Sequence, residues 1–271
     1  MASLAPNEYP DALFALVDGE VKPTELTRGP WSHGVMHGGP ICGLLAWILE
    51  KKLNREDLVC TRLTVEILSG VPVENLAASS EVIKNGKQTA VVEASISRQG
   101  KMLARATSQW LARPGEIVVN GEEVPDIPTV RADPGSHPDI EYPRPGFNAD
   151  AVDLRILSGS TEEPGPGLIW ARLDHPLVAG ESPSLFQQVA TLSDLGAAVG
   201  WENADDDQPL INTDVTLQLL REPQNEWVLF ESNVQRVTNN LACCKTTLTD
   251  QAGLLGWVLQ SQMVAPSNIQ F

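Results

Sequence analysis

The chain has 271 residues, an apolar content of 42% and a formal charge of −16. That length gives room for one large or two ordinary domains with a proper core. So acidic a balance argues against nucleic acid or an anionic membrane surface as partner, because phosphates would be repelled. The N-terminal stretch has no basic start and no long apolar run, so neither a signal peptide nor an anchor is expected. Four cysteines (Cys42, Cys60, Cys243, Cys244) and four histidines (His33, His37, His137, His175) show no metal-ligand spacing, so no metal or cofactor is expected and the cytoplasm is the default location.

In chain order the first element is GGPICGLLAWILEKKL, with Gly38 and Gly39 at its start and Pro40 suited to a first helical turn. Ile41, Leu44, Leu45, Trp47, Ile48 and Leu49 leave hardly a polar face, which predicts a buried helix. Strand patterns follow at CTRLTVEIL, AASSEVIKN, TAVVEASISRQ and KMLARATSQWLAR, with Asn85-Gly86 as a hairpin turn. Residues 114–147 then hold seven prolines, and the stretch 115–165 reads as an acidic, extended linker. A second helix is expected over SLFQQVATLSDLGAAVGWE. Strands are expected at INTDVTLQLL, WVLFESNVQRV, ACCKTTLTD and LLGWVLQSQMVA, with turns at Asn239-Asn240 and around Gln251-Ala252. Cys243 and Cys244 should point to opposite faces of their strand.

The two halves repeat. Offset by 152 positions, Thr64 meets Thr216, Ser80 meets Ser232, Val82 meets Val234, Ala90 meets Ala242 and Leu103 meets Leu255. One register held through several strands implies two similar half-folds, with any site at the seam where diverged copies supply different residues. The expected organisation is an α+β chain with an N-terminal unit over 1–114, the linker, and a C-terminal unit over 166–271.

A buried helix opening on His37-Gly38-Gly39, the strand Arg62 to Leu68 leading to Pro72, Asp194 in the second helix, the strand Asn212 to Arg221 and Leu259-Gln260 in the last strand together resemble the double hot-dog type II acyl-CoA thioesterases. The resemblance covers nearly the whole chain. It implies a double hot-dog fold, in which each antiparallel sheet wraps a central helix. It also implies acyl-CoA thioester hydrolysis in fatty acid metabolism, an acyl-CoA or other acyl-thioester substrate, and a homodimer. In that family a helix Asp, a strand Thr or Ser and a last-strand Gln hold the attacking water. By position these fall on Asp194, Asn212 and Gln260. Asn212 departs from the family's hydroxyl, and Thr213, which has one, is a step along the strand and so on the opposite face.

Each residue also has a plainer reading. Asp194 lies about half a turn from the apolar stripe of its helix, among Gln187, Ala190, Ala197, Ala198 and Trp201, where a solvated side would carry Lys and Glu. It is either the general base or a simple helix acid. Gln260 and Gln262 share one strand face, which is either the wet face or a water-holding one, with Gln262 as the fallback. Asn212 either orients the water or merely enters the strand, and Thr213 is its fallback. Gly38 and Gly39 offer helix N-terminal N–H groups to an oxyanion, with His37 as cap or base. The rival reading is close packing at a helix start. Arg98, Lys101, Arg105, Arg221 and Arg236 are candidate rim cations for CoA phosphates, and the acyl chain is expected between the two helices. Two other activities stay open: an enoyl-thioester hydratase or dehydratase pairing His37 with Asp194, and a non-catalytic acyl-thioester or lipid-binding protein.

Overall fold

Strict alternation of apolar and polar residues builds the first half. In the computed structural model, which describes residues 10–30, 34–113, 144–159, 165–199, 210–238 and 241–264, a short hairpin of β1 (Phe14–Val17) and β2 (Glu20–Pro23) precedes helix α1 (Gly38–Leu53). The strands β3 (Leu58–Ile67), β4 (Ala77–Asn85), β5 (Thr89–Arg98) and β6 (Lys101–Ala112) follow. Buried Ala90, Val92, Ala94 and Ile96 of β5 and Ala104, Ala106 and Trp110 of β6 alternate into the core on the side of α1. The helix keeps its apolar residues buried from Ile41 to Leu53 and ends where Asn54 takes the left-handed conformation (φ 47°), with Lys51 and Lys52 in the last turn beside the negative end of its dipole.

The second half has strands β7 (Val152–Ser158) and β8 (Gly167–Leu173), helices α2 (Leu185–Leu192) and α3 (Gly196–Val199), then β9 (Leu210–Asn212), β10 (Asp214–Leu219), β11 (Val228–Thr238), β12 (Leu241–Asp250) and β13 (Gly253–Val264). All join one antiparallel sheet in the order β4-β5-β6-β3-β10-β13-β12-β11-β8-β7, with β9 beside β13. The fold is the expected α+β double hot-dog, and the 152-residue offset is visible in it: β5 and β6 carry over onto the bounds of β12 and β13. The halves meet where β3 pairs with β10, and Thr64 stands opposite Thr216 there, their hydroxyls 3.5 Å apart. The repeat is thus a two-fold arrangement, with equivalent residues facing each other at its axis.

Three expectations change. First, β7 and a five-residue π-helical turn, Phe147–Ala151, fall inside the stretch 115–165 assigned to the linker. The pattern Val152, Leu154, Ile156 is long enough to pair with β8 and bury Val152 and Leu154. Residues 115–143 and 160–164 of that linker, the Asn239-Asn240 turn, Trp201, His33 and His137 lie outside the described residues. Second, the second helix is not continuous: α2 gives way to a 3-10 turn, Ser193–Leu195, before α3. Thr191 Oγ1 donates to the Gln187 carbonyl and Ser193 Oγ to the Ala190 carbonyl, each 2.7 Å, which favours tightening at this point. Third, the strand expected from Ile211 to Leu220 is broken at Thr213 by a bulge. Asn212 pairs with Gln262 while Thr216 pairs with Leu259, a slip of one residue. The first half has the same slip between Cys60 and Arg62, at the equivalent place.

Candidate active site

Asp194 sits on the 3-10 turn and is 6% exposed. The tightened turn and the lack of a Cβ at Gly196 press this segment onto the sheet: a methyl there would lie 2.0 Å from Thr246 Oγ1. Buried so, the carboxylate needs donors. Its Oδ1 accepts from Asn212 Nδ2 at 2.7 Å and from Gln260 Nε2 at 2.9 Å. Burial raises the Asp194 pKa above the ordinary carboxylate value, against the opposing pull of His37, Asn212, Gln260 and the Gly39 amide.

Asn212 reaches this carboxylate because of the bulge. Val215, Leu217 and Leu219 face the core, so plain alternation would turn Thr213 inward and Asn212 outward. The extra residue reverses the phase upstream of it. Asn212 therefore points in, and the Thr213 hydroxyl bonds the Ser261 carbonyl at 3.2 Å, away from Asp194. Gln260 and Gln262 are both buried on the inner face of β13 while Leu259 is exposed, as the alternation predicts. Gln262 Nε2 donates to Asn212 Oδ1 at 3.0 Å. The Oε1 atoms of Gln260 and Gln262 are buried without a partner among the described residues.

The N-terminus of α1 closes the other side. His37 is its N-cap, with Nδ1 accepting the Gly39 N–H at 3.0 Å. Pro40 has no N–H, so Gly38 keeps the first-turn amide that, among the described residues, nothing else takes. A Cβ on Gly38 would stand 2.4 Å from Asp194 Oδ2, so glycine is required for the helix start to meet the carboxylate. Asp194 Oδ2 also lies 3.1 Å from His37 Nδ1. A nitrogen that accepts the Gly39 N–H has no proton of its own, and two bare acceptors would repel at that distance. A proton between the two resolves the contact; burial lowers the His37 pKa and raises that of Asp194, each against the pull of the other. Phe147 packs over the imidazole, ring centroids 4.9 Å apart. Nothing in the sequence around Phe147 marks it as part of a site, because it lies in the expected linker and no periodic pattern leads to it.

The site thus joins His37, Gly38 and Gly39 of one half to Asp194, Asn212, Gln260 and Gln262 of the other. It leaves Thr213 out. It also leaves out most of the expected rim cations: Arg98 is bonded to Glu74, Arg105 to Glu66, and Arg221 to both oxygens of Asp250 and the carbonyl of Gly253. Lys101 is exposed on its strand, and the Arg236 side chain lies outside the described residues. The space between the helices, expected to take an acyl chain, is closed by direct packing: a Cβ on Gly43 would lie 2.1 Å from Thr191 Oγ1, and one on Gly39 2.5 Å from the Thr191 carbonyl. A small recess lies instead beyond Phe147, lined by Arg28, Gly29, Pro30, Gly146, Phe147 and Asn148. Arg28 Nε and Asn148 Oδ1 have no partner among the described residues. Cys243 is exposed and Cys244 buried, on opposite faces as expected, and all four thiols are free.

A family model described as the acyl-CoA thioesterase N-terminal domain matches residues 27–111, and one described as the acyl-CoA thioesterase C-terminal domain matches residues 121–264. Among solved structures the chain is similar to a tesB protein of Mycobacterium avium subs paratuberculosis, at 13% identity over 86% of this chain and 88% of that one, with a TM-score of 0.64. It is similar to a hot-dog-fold protein of Alicyclobacillus acidocaldarius at 16% identity over 94% and 97%, TM-score 0.69. It is also similar to an acyl-CoA thioesterase II, TesB2, of Mycobacterium marinum, at 15% identity over 85% and 90%, TM-score 0.62. At these identities the structural likeness shows the fold. Among curated proteins none matches the sequence.

Proposed function

The chain belongs to the acyl-CoA thioesterase family, and on that premise we propose that it hydrolyses acyl-CoA thioesters to free acid and CoA, with water activated by Asp194 and no covalent intermediate. The observation that carries this reading is the buried Asp194 carboxylate, held by two amides of its own half and set against the helix start of the other. The base is available when the shared proton rests on His37. Asp194 Oδ2 then takes a proton from water as its oxygen attacks the thioester carbon. Gln260 has spent its N–H on Asp194, so its unpartnered Oε1 is the atom that accepts the water's other hydrogen. Asn212 holds the carboxylate rather than the water. The oxyanion takes the Gly38 N–H at the positive end of α1, joined by the Gly39 N–H, which His37 Nδ1 can no longer accept once it carries the proton. Collapse breaks the carbon–sulfur bond, and the thiolate leaves with the proton held by the Asp194–His37 pair.

Arg28, which lines the recess that abuts Phe147 and has its Nη2 3.7 Å from Glu25 Oε1, is the cation assigned to the anionic part of the substrate in this reading. Following the same resemblance, the working unit is a homodimer, which light scattering tests, and the cytoplasm stays the default location. The main experiment is hydrolysis of an acyl-CoA panel by the wild type and by Asp194→Ala. Turnover of at least one chain length by the wild type and its loss in the variant support the reading, and no turnover on any chain length ends it.

A second reading has one observation in its favour: the 3.1 Å contact of His37 with Asp194 is the cross-seam pair that an enoyl-thioester hydratase would use. Loss of enoyl-CoA absorbance without release of free thiol would favour it over hydrolysis.

A further inference from the structure

We infer that Gln262 is a positioning residue of this site: its N–H holds from the far side the Asn212 amide orientation that Asp194 requires, and so steadies the hydrogen bond that Asn212 gives to Asp194. The kinetic consequence rests on the hydrolytic reading above, whereas the geometry does not. A carboxamide has nearly the same shape either way round, so packing alone cannot tell its oxygen from its nitrogen. Its neighbours can. A carboxylate only accepts, so Asn212 must turn Nδ2 to Asp194 Oδ1, and this bond is 2.7 Å. That leaves Asn212 Oδ1 facing Gln262, whose Nε2 donates to it at 3.0 Å. Reversing the Asn212 amide would set oxygen against oxygen at Asp194 and N–H against N–H at Gln262. Donation therefore runs one way, from Gln262 to Asn212 to Asp194.

The placement follows from the sheet. Gln262 and Asn212 are directly opposite on β13 and β9, upstream of the bulge that turns Asn212 inward. Ala242 stands across from Gln262 on β12 and leaves the amide room. At 3% exposure Gln262 has little water to bond, and its Oε1 is unpartnered among the described residues. Asp194 Oδ1 thus receives one bond directly from Gln260 and one whose direction Gln262 secures. Among the described residues the titratable groups facing Asp194 are His37 and Cys42, at the start of α1, and Cys244 from β12. Burial holds both thiols neutral, so His37 alone shares the proton in an acid titration.

The test is a double-mutant cycle on an acyl-CoA that the wild type hydrolyses. Gln262→Met, close in shape but without the donor, is expected to lower kcat on the order of tenfold, the rate equivalent of one hydrogen bond to a charged group. KM should stay within about twofold, and the acid limb of the pH profile should move to higher pH, because Asp194 loses a fixed donor. In an Asn212→Ser background, where a hydroxyl has no flip to fix, Gln262→Met should change kcat by less than about twofold. Equal losses in both backgrounds, or an unchanged kcat in the single variant, overturn the inference. Should Gln262→Met not fold, Gln262→Leu, which also lacks the donor and adds no charge, carries the same expectation. If the wild type hydrolyses no acyl-CoA, the functional reading falls and the inference is judged by carbon-13 titration of the Asp194 carboxyl. A higher pKa in Gln262→Met upholds it, and an unchanged pKa overturns it.

Discussion

The two seams of this molecule were built from one plan and now do opposite things. Where the second half has Asn212, Gln260 and Gln262, the first half has Cys60, Ser108 and Trp110 at the same offset. Counted from the N-caps His37 and Ser184, Asp194 stands where α1 has Trp47. In the first-half set the polar groups are spent on the protein. Trp110 Nε1 donates to Ser108 Oγ at 2.8 Å, Ser108 Oγ to the Val92 carbonyl, and the indole packs edge-on to Phe186. A carboxylate also stands at the N-terminus of α2, but Glu50 is only half-buried and accepts from Ser184 Oγ and Gln187 Nε2. The cap of α2 is Ser184, whose Oγ accepts the Gln187 N–H, and Glu50 braces it. At the other seam the carboxylate is buried, the helix cap is an imidazole 3.1 Å from it, and two amide oxygens have no partner among the described residues. Polar groups that satisfy each other make a core, and the same positions left incomplete are where the proposed reaction would place its water.

Substitutions can break this contrast. Asp194→Ala should lower kcat about 10³-fold, the usual weight of a general base, in a thioester assay. Asp194→Asn should abolish turnover as well but raise Tm at neutral pH. The sign follows from the raised pKa: the folded state prefers protonated Asp194, so stability is full at low pH and is lost as pH rises through the raised value. Asparagine carries no such charge, and its Nδ2 can donate to His37 Nδ1. A lower Tm for Asp194→Asn, measured by calorimetry at pH 7, would mean that the carboxylate is a net stabiliser.

Trp110→Ala, in the satisfied seam, should cost about 3–5 kcal/mol of stability in denaturant unfolding, through the cavity left beside Phe186. The kcat of the remaining folded protein should not change. Gly38→Ala sharpens the comparison at the helix start, since its methyl would displace the Asp194 carboxylate; a loss of about 10²-fold in kcat is expected. On acidification kcat/KM should fall at a pH above the ordinary carboxylate range, because burial raises the base. The smallest effect is expected of Arg28→Ala, a few-fold rise in KM with kcat unchanged.

Much of this was legible in the sequence. The apolar run from Ile41 to Leu49 could only be a buried helix, and the alternation in β4, β5, β12 and β13 gave bounds close to those observed. The same alternation put Gln260 and Gln262 on one face. Other features had no local signal. Arg98, Arg105 and Arg221 read as free cations until their carboxylate partners came into view, and the glycines of α1 read as room for a ligand until Thr191 filled it. Phe147 reached His37 from a stretch that composition assigned to a linker.

By itself the sequence determined the elements, their duplication and the residue types able to act, because periodicity and repeat register are properties of neighbours along the chain. Only the tertiary structure decided that Asn212 and not Thr213 enters the site. It also decided that Asp194 leaves the helix on a tight turn and that its partners come from both halves. Those outcomes depend on one inserted residue at a bulge and on groups far apart in sequence, whose burial and pairing exist only once the sheet has closed around the helices.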